Sequence, residues 1–477
     1  MSAPKGWRAL AALALLKLAL SLALLASGFH GVSDDDFARI VISQEFAHAP
    51  KLDPSGTSWL PLPFWITGAL MMAFGLSPAV AVGVGVALGV VSVWLVYAAA
   101  RRLTDDDTTA FWAAALAAVL PWSARLGASA VPELPVAACS LYALTTLLPA
   151  RLPLSGTERG PGGEESTETN GRARIIGAIL LLAASLSRYE PWFLAGGFAL
   201  FCLWDASKSR AARAANVLAA ALALLGPVVW SIWNAHAHGS PTHYLDRVAA
   251  YKQAIDQGAI AERLTAYFLA VFRAEPELMA AGALLTWVAR GALRTELRRW
   301  SRPVILLVVL LVTLTVSSVK GGAPTHHPER ALLALHLFVA IVVGHAAVLA
   351  SRAELLQPKH VVIALLVLGG GIASLRATLL FKESVADRRA ELAVGREVAS
   401  QVPAGERVFL EVVDYGYFAV LAASERPWDF ELSGKVDPAR GGEALGEAEV
   451  KARAHAAGIR TVVVRDRGGA WHIVAAP

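Results

Sequence analysis

Cysteine is nearly missing from this chain: its 477 residues include two, Cys139 and Cys202, both inside apolar runs. No disulfide framework follows, and no CxxC pair or zinc-ligand spacing occurs. Charge is scarce as well, at 17% of residues against 56% hydrophobic, with a mean hydropathy of +0.51. A water-soluble domain of this length needs far more surface charge, so that class is excluded. No convincing short-period repeat is found either. The net charge of +5 does not call for nucleic acid, because Arg and Lys concentrate in short loops between apolar runs, where membrane topology explains them.

Long apolar runs are abundant. Stretches of about 15 to 25 residues, the length of a bilayer-crossing helix, recur from Ala9 to Leu380. Many of the 14 Trp fall near run ends, as interfacial anchors do. Lys5 and Arg8, an apolar run and then Ala26-Ser27-Gly28 also fit a secretory signal with a small-residue cleavage site. The run is long enough to span and many more follow, so a retained first membrane helix is expected. The Ala- and Arg-rich, Lys-poor composition associates with GC-rich bacterial genomes, hence a bacterial inner membrane.

The positive-inside rule orders the spans. Lys5 and Arg8 hold the N-terminus inside and Ala9–Gly28 crosses outward. Residues 29–59 are then outside. Trp59–Leu76, broken by Pro61, Pro63 and Pro78, suits a helix lying partly in the interface. Residues 79–100 return inward and end at Arg101-Arg102. Further crossings are expected near 110–122, 132–149, 174–188, 191–205, 214–233, 265–289, 303–318, 331–350 and 359–380, about eleven in all. The basic clusters at 101–102, 151–174, 208–213, 290–299 and 352–359 then all lie inside. The outer segments are 29–59, the turn 125–132, the corner Arg188-Tyr189-Glu190, the loop 234–262, the turn 319–330 and everything after 381. Residues 151–172 read as a disordered inner linker. After Leu380 no run is long enough to span. Strands over 407–413, 460–465 and 471–475 with a helix over 447–457 predict a small α/β domain outside the membrane. The expected fold class is thus an α-helical polytopic membrane protein, residues 1–382, with a small extracytoplasmic α/β domain, residues 383–477. That domain shows no catalytic motif, so docking or substrate positioning is its expected task.

Ser33-Asp34-Asp35-Asp36 follows the first span. Acidic clusters beside a bilayer are costly unless they face water or act there. The plain reading is capping: Ser33 suits an N-cap, and acids in a first turn favour the helix dipole. Phe37, Ile40, Val41 and Ala47 share one face, and Asp35 and Arg39 are spaced as an i,i+4 pair. A second run, Thr104-Asp105-Asp106-Asp107, is expected inside, so three aspartates alone carry little weight.

The surroundings of the outer run form a pattern. One span is followed by an acidic amphipathic helix, then by the proline-marked Ser58-Trp59-Leu60-Pro61-Leu62-Pro63-Phe64-Trp65, then by a span ending Tyr97-Ala98-Ala99-Ala100-Arg101-Arg102-Leu103. Ser187-Arg188-Tyr189-Glu190 closes a later span, His326-His327-Pro328-Glu329-Arg330 opens another, and Asn234–Leu245 contains Gly239-Ser240-Pro241. In this order, over roughly residues 1–380, the chain resembles the GT-C fold of membrane glycosyltransferases, in particular the protein O-mannosyltransferase and aminoarabinose-transferase (ArnT-like) group. In that group an Asp with an acidic neighbour opens the first outer loop, matched by Asp34-Asp35 or Asp35-Asp36. A Pro-Pro-Leu-like segment follows, matched imperfectly by Leu60-Pro61-Leu62-Pro63.

The resemblance implies transfer of a sugar from a polyprenyl-phosphate donor to a hydroxyl or amine of a lipid, glycan or protein acceptor, at the outer face. Phosphate leaves readily, so one carboxylate of Asp34, Asp35 or Asp36 suffices as base, without the acid-and-base pair of many glycosidases. Arg188, Arg330, Lys320, His327 and Arg247 lie in outer segments and can meet the charge growing on the departing phosphate. Each has a plainer reading: Arg330 and Lys320 as snorkelling cations, Arg188 with Glu190 as an ion pair, His326-His327 as polar turn residues. No cofactor is expected. Asp34-x-Asp36 leaves a divalent cation open, and His236, His238 and His243 read as a solvated loop in preference to a metal cluster. Two other classes stay open: a lipid or oligosaccharide transporter, and a non-catalytic assembly protein acting through residues 383–477.

Overall fold

In the computed structural model the described residues are 4–56, 59–148, 162–254, 259–321, 327–371, 387–434, 445–466 and 469–476. The helices in chain order are α1 (Trp7–Ala26), α2 (Asp34–His48), α3 (Leu62–Phe74), α4 (Pro78–Thr104), α5 (Asp107–Val119), α6 (Pro121–Leu126), α7 (Glu133–Thr145), α8 (Gly162–Ser185), α9 (Glu190–Lys208), α10 (Arg213–His238), α11 (His243–Ala254), α12 (Ile260–Ala274), α13 (Pro276–Val288), α14 (Arg290–Arg299), α15 (Ser301–Val319), α16 (Pro328–Ala331), α17 (Leu333–Arg352) and α18 (Pro358–Gly371). Five are long and apolar enough to cross a membrane: α1, α4, α10, α15 and α17. Shorter apolar helices stand at other expected crossings, among them α5, α7, α13 and α18. The run expected as one span over 265–289 is two helices. Pro276 lacks the N–H that would continue α12, and the Glu275 carboxylate before it accepts the Trp122 backbone N–H at 2.9 Å. The interfacial helix expected around 59–76 is α3, thirteen residues opened by Pro61 and Pro63.

The bundle has two polar ends joined by α4, whose 27 residues span about 40 Å. At one end Arg299 donates to the carbonyls of Leu103 (3.1 Å) and Arg102 (3.2 Å) and to Asp105 (3.1 Å). There too Arg352 meets Asp106 (2.9 Å), and Asp205 takes Arg174 (2.5 Å) and Arg302 (2.6 and 2.8 Å). These belong to the basic clusters assigned to the inner side. The other end carries the outer candidates. Between them the helices approach closely over small residues: a Cβ added at Gly344 of α17 would lie 2.8–3.0 Å from atoms of Ala113 in α5.

The C-terminal unit adds α19 (Arg389–Gln401), β1 (Val408–Leu410), α20 (Tyr417–Ser424), β2 (Phe430–Leu432), α21 (Glu447–Ala456), β3 (Thr461–Arg465) and β4 (Trp471–Ala475). The sheet order is β2-β1-β3-β4. β1 runs parallel to both neighbours, and β4 is antiparallel to β3 with Val463 opposite Ile473. The expected third strand is β4, and the expected helix is α21. The strand expected over 407–413 is three residues long; the Glu411 N–H still donates to the Val463 carbonyl of β3, but the Val412 N–H turns to Ser433 Oγ. The boundary at 382/383, the end of the last span beyond Gly371 and residues 151–161 of the expected linker lie outside the described residues; the rest of that linker, 162–172, is helical and forms the start of α8.

Replacing Gly344 with leucine should cost about 1–3 kcal/mol by overpacking, read as a lower unfolding midpoint in detergent. The same change at Gly196, where nothing lies within 4 Å of an added Cβ, should not destabilise. Equal midpoints would mean that α5 and α17 do not meet this closely.

Candidate active site

The three aspartates open α2 and have three different environments. Asp36 is buried, and its oxygens accept the backbone N–H groups of Val32 (2.8 Å), Ser33 (3.1 Å) and Ala130 (2.9 Å). It completes half a capping box and ties the α6–α7 turn to α2. Burial pushes its carboxyl up to about 6, against the pull of Arg330 and the three N–H donors. Asp34 faces the C-terminal unit, where the Arg388 fork grips both its oxygens at 2.8 and 3.0 Å. Asp35 points the other way and keeps 51% of its side chain exposed, with one cation, Arg330, at 3.3 Å. With Asp34 and Asp36 held by different partners, the Asp34-x-Asp36 pair does not form a cation cage. Among the described residues no group of three His, Cys, Asp or Glu is placed to hold a metal ion.

Arg330, on α16, is buried beside this turn. It donates to Ser33 Oγ at 2.7 Å and stands 3.4 Å from Glu133. Glu133 is the first residue of α7, fully enclosed, and shares the same oxygen with Arg188 at 2.5 Å. Arg188 in turn chelates Glu190, with Nε 3.0 Å from Oε2. The corner expected as an ion pair is therefore an ion pair, joined to a larger cluster. Its carboxylates hold the Arg188 guanidinium above its ordinary value against the opposing effect of burial.

One member has no acceptor. Arg39, one helical turn beyond Asp35, is buried, and its Nε and Nη1 make no hydrogen bond. Its guanidinium lies over the Trp59 ring at 4.6 Å and nearer Phe64 at 5.6 Å, a cation–π contact that offsets only part of its lost hydration. Burial pushes this guanidinium below its ordinary value. The i,i+4 pair expected between Asp35 and Arg39 does not form, because Asp35 turns to Arg330. Arg39 packs beside Ser43, Pro63, Phe64, Thr67, Ala81 and Ala130, with no room for a water between them. Pro63, Thr67, Ala81 and Ala130 also line an apolar cleft of about 120 Å³ between α3, α4, α7 and the end of α8. Pro132 and Ser187 on its wall are the chain neighbours of Glu133 and Arg188.

The remaining expected residues are distributed differently. Glu190 lies inside the cluster. His327 precedes α16, its ring 6.0 Å from Trp122. Lys320 is exposed at the C-cap of α15, and Arg247 is exposed on α11, neither in the cluster. His326 lies outside the described residues. His238 stacks on His243 at 4.2 Å and approaches Asp53 at 3.7 Å. Three participants were missed in the sequence: Glu133, Arg388 and Arg39. The signal for Glu133 was a lone acid opening an apolar run; Arg39 read only as a neighbour for Asp35.

Truncating Asp36 to alanine strands one buried and two part-buried N–H groups, an expected loss on the order of 3 kcal/mol. Asp35→Ala removes a half-exposed pair and should cost under about 1 kcal/mol. Unfolding midpoints of the two purified variants check the order, and a reversed order would overturn the separation of capping from exposed aspartate.

A family model described as dolichyl-phosphate-mannose-protein mannosyltransferase matches residues 54–153. No curated protein matches the sequence significantly. Among solved structures, ArnT from Cupriavidus metallidurans bound to undecaprenyl phosphate aligns with a TM-score of 0.61 at 14% identity, over 98% of this chain and 97% of that one. The Archaeoglobus fulgidus oligosaccharyltransferase in its apo form gives 0.55 at 13% identity, over 96% and 69%. AglB from the same organism, in complex with an inhibitory peptide and a dolichol-phosphate, gives 0.55 at 12%, over 96% and 69%. At these identities the likeness speaks for architecture: the chain has the GT-C fold of multi-pass membrane glycosyltransferases.

Proposed function

We propose that the protein transfers a sugar from a polyprenyl-phosphate donor to an acceptor hydroxyl or amine at the outer face of a bacterial inner membrane, with Asp35 as the base. The observation that carries this reading is an exposed carboxylate, Asp35, one helical turn from a buried guanidinium, Arg39, whose Nε and Nη1 have no acceptor among the described residues, with an apolar cleft nearby. The cleft suits a prenyl chain, and Arg39 suits its phosphate by the forked geometry that favours phosphate oxygens. The ArnT and AglB structures hold a polyprenyl phosphate and a dolichol-phosphate respectively, which supports the same ligand class here.

In the transfer step the acceptor oxygen or nitrogen attacks the anomeric carbon, and its proton passes to the Asp35 carboxylate. The bond from that carbon to the phosphate oxygen breaks, and polyprenyl phosphate departs with the electron pair. Arg39 and Arg330 stand where negative charge on the leaving phosphate gathers, in a setting with little water to screen it. No metal or organic cofactor enters these steps.

Asp35→Asn should lower transfer of labelled sugar from a polyprenyl-phosphate donor by about 10²- to 10⁴-fold in protein that remains folded. Arg39→Gln should raise the donor KM, while Lys320→Ala should change neither constant. Full activity of Asp35→Asn sinks the base assignment. Movement of labelled lipid across vesicles without covalent change would favour transport.

A further inference from the structure

The helix that carries the proposed base is held from two sides. Asp35, Asp36 and Arg39 face the helical bundle. Phe37, Ile40 and Val41 join one apolar cluster with Val394, Val398 and Val420 of the C-terminal unit. Polar ties bracket this contact along the whole of α2. At its start Arg388 grips Asp34 and is itself fixed by Glu391 and Asp414, each at 3.1 Å. In the middle Gln44 Nε2 donates to the Leu76 carbonyl and to the Ala422 carbonyl, both at 2.8 Å, joining the α3–α4 turn to α20. Near its end the His48 ring stacks on Trp428 at 3.9 Å and 12°.

Arg388 sits beside the carboxyl edge of the parallel strands. Asp414 follows β1, and Arg465, closing β3, reaches it at 3.2 Å. The order β2-β1-β3 places the switch in strand direction of winding at this edge, where open α/β sheets commonly take their ligands. In this protein the edge borders the first turn of α2.

We propose that the C-terminal unit is a positioning element for transfer: by gripping Asp34, Arg388 fixes the first turn of α2 and so sets where the adjacent Asp35 carboxylate stands. Arg388 touches no reacting atom. It acts through Asp34, while Asp36 anchors the same turn to Ala130 from the bundle side. The inference rests on Asp35 being the base, and it adds a task for a domain that carries no catalytic motif. Displacing a reacting group by about 1 Å is enough to cost on the order of 10²-fold in rate. Lysine keeps the charge of Arg388 but not the fork that holds both Asp34 oxygens.

The test uses the full-length protein in lipid vesicles, with a polyprenyl-phosphate sugar as donor. R388Q should lose about 10- to 100-fold in kcat with the donor KM within about threefold of wild type, and R388K should fall between. The exchanged pair D34R/R388D should recover more kcat than either single variant. Wild-type kcat in R388Q, or an exchanged pair no better than its parents, overturns the proposal. If R388Q is not recovered folded, Q44M removes the uncharged tie and is read by the same split, with wild-type kcat again overturning it. If the wild-type protein turns over no such donor, the transferase reading fails separately. Hydrogen exchange then decides positioning: amides of residues 34–38 should exchange faster in R388Q, and unchanged exchange rejects it.

Discussion

Glu133 is the interaction on which the Asp35 end of the bundle depends. A carboxylate at the first turn of an apolar helix, with 2% of its surface exposed, is costly unless cations reach it. Arg188 and Arg330 both do, from turns 55 and 197 residues away in sequence. Removing one partner of such a buried set typically costs about 3–5 kcal/mol, since the charges left behind are unhydrated. Glu133 therefore draws together α7, the α8–α9 corner and α16. Asp35 and Ser33 join through Arg330, so the start of α2 belongs to the same electrostatic unit.

That unit is balanced in formal charge, three carboxylates (Asp35, Glu133, Glu190) against three guanidiniums (Arg39, Arg188, Arg330), but its hydrogen bonding is uneven. Arg188 and Arg330 spend most of their donors on carboxylates and Ser33, Arg330 Nε excepted, while Arg39 has an aromatic face beneath it and no oxygen among the described residues. A buried donor without an acceptor forfeits the hydrogen bonds it made in water. An incoming phosphate would restore them at Arg39 without stripping Glu133 of its partners. This unevenness distinguishes a ligand-ready cluster from a purely structural one.

The sequence carried the order of elements well, because hydrophobic run length and the placement of Arg and Lys are local signals. The start of α2, the proline-opened α3, the basic end of α4 and three of the four strands could be read that way. Which aspartate stays exposed could not. Asp34, Asp35 and Asp36 are adjacent and chemically alike, and what separates them is Arg388, 354 residues along the chain, and the backbone of Ala130. The α12–α13 break shows the complementary limit: Pro276 was visible, but the buried Glu275–Trp122 contact that stabilises a break there is tertiary. β2 was missed because three half-exposed residues carry too little pattern to stand out.

Where charge lies in this fold also bears on chemistry versus passage. Transporters place ionisable side chains and broken helices around a site near the midplane. Several buried polar groups along the spans here are tied to a local partner, while the Ser140 and Ser185 hydroxyls have no hydrogen-bond partner among the described residues. Lys17 donates to the Ser123 carbonyl at 2.6 Å, His336 meets the Val271 carbonyl at 3.0 Å, and His345 meets Thr109 at 3.3 Å. Lys17 also fills the space beside Gly89 and Gly127, so it packs α1 against α4 and α6. The exposed carboxylate, the unsatisfied cation and the apolar cleft instead gather at one rim, under a domain that grips the same helix. A substrate with an apolar tail and a charged, reactive head would place its reacting bond at that rim, which suits group transfer at the membrane surface better than movement through the bundle.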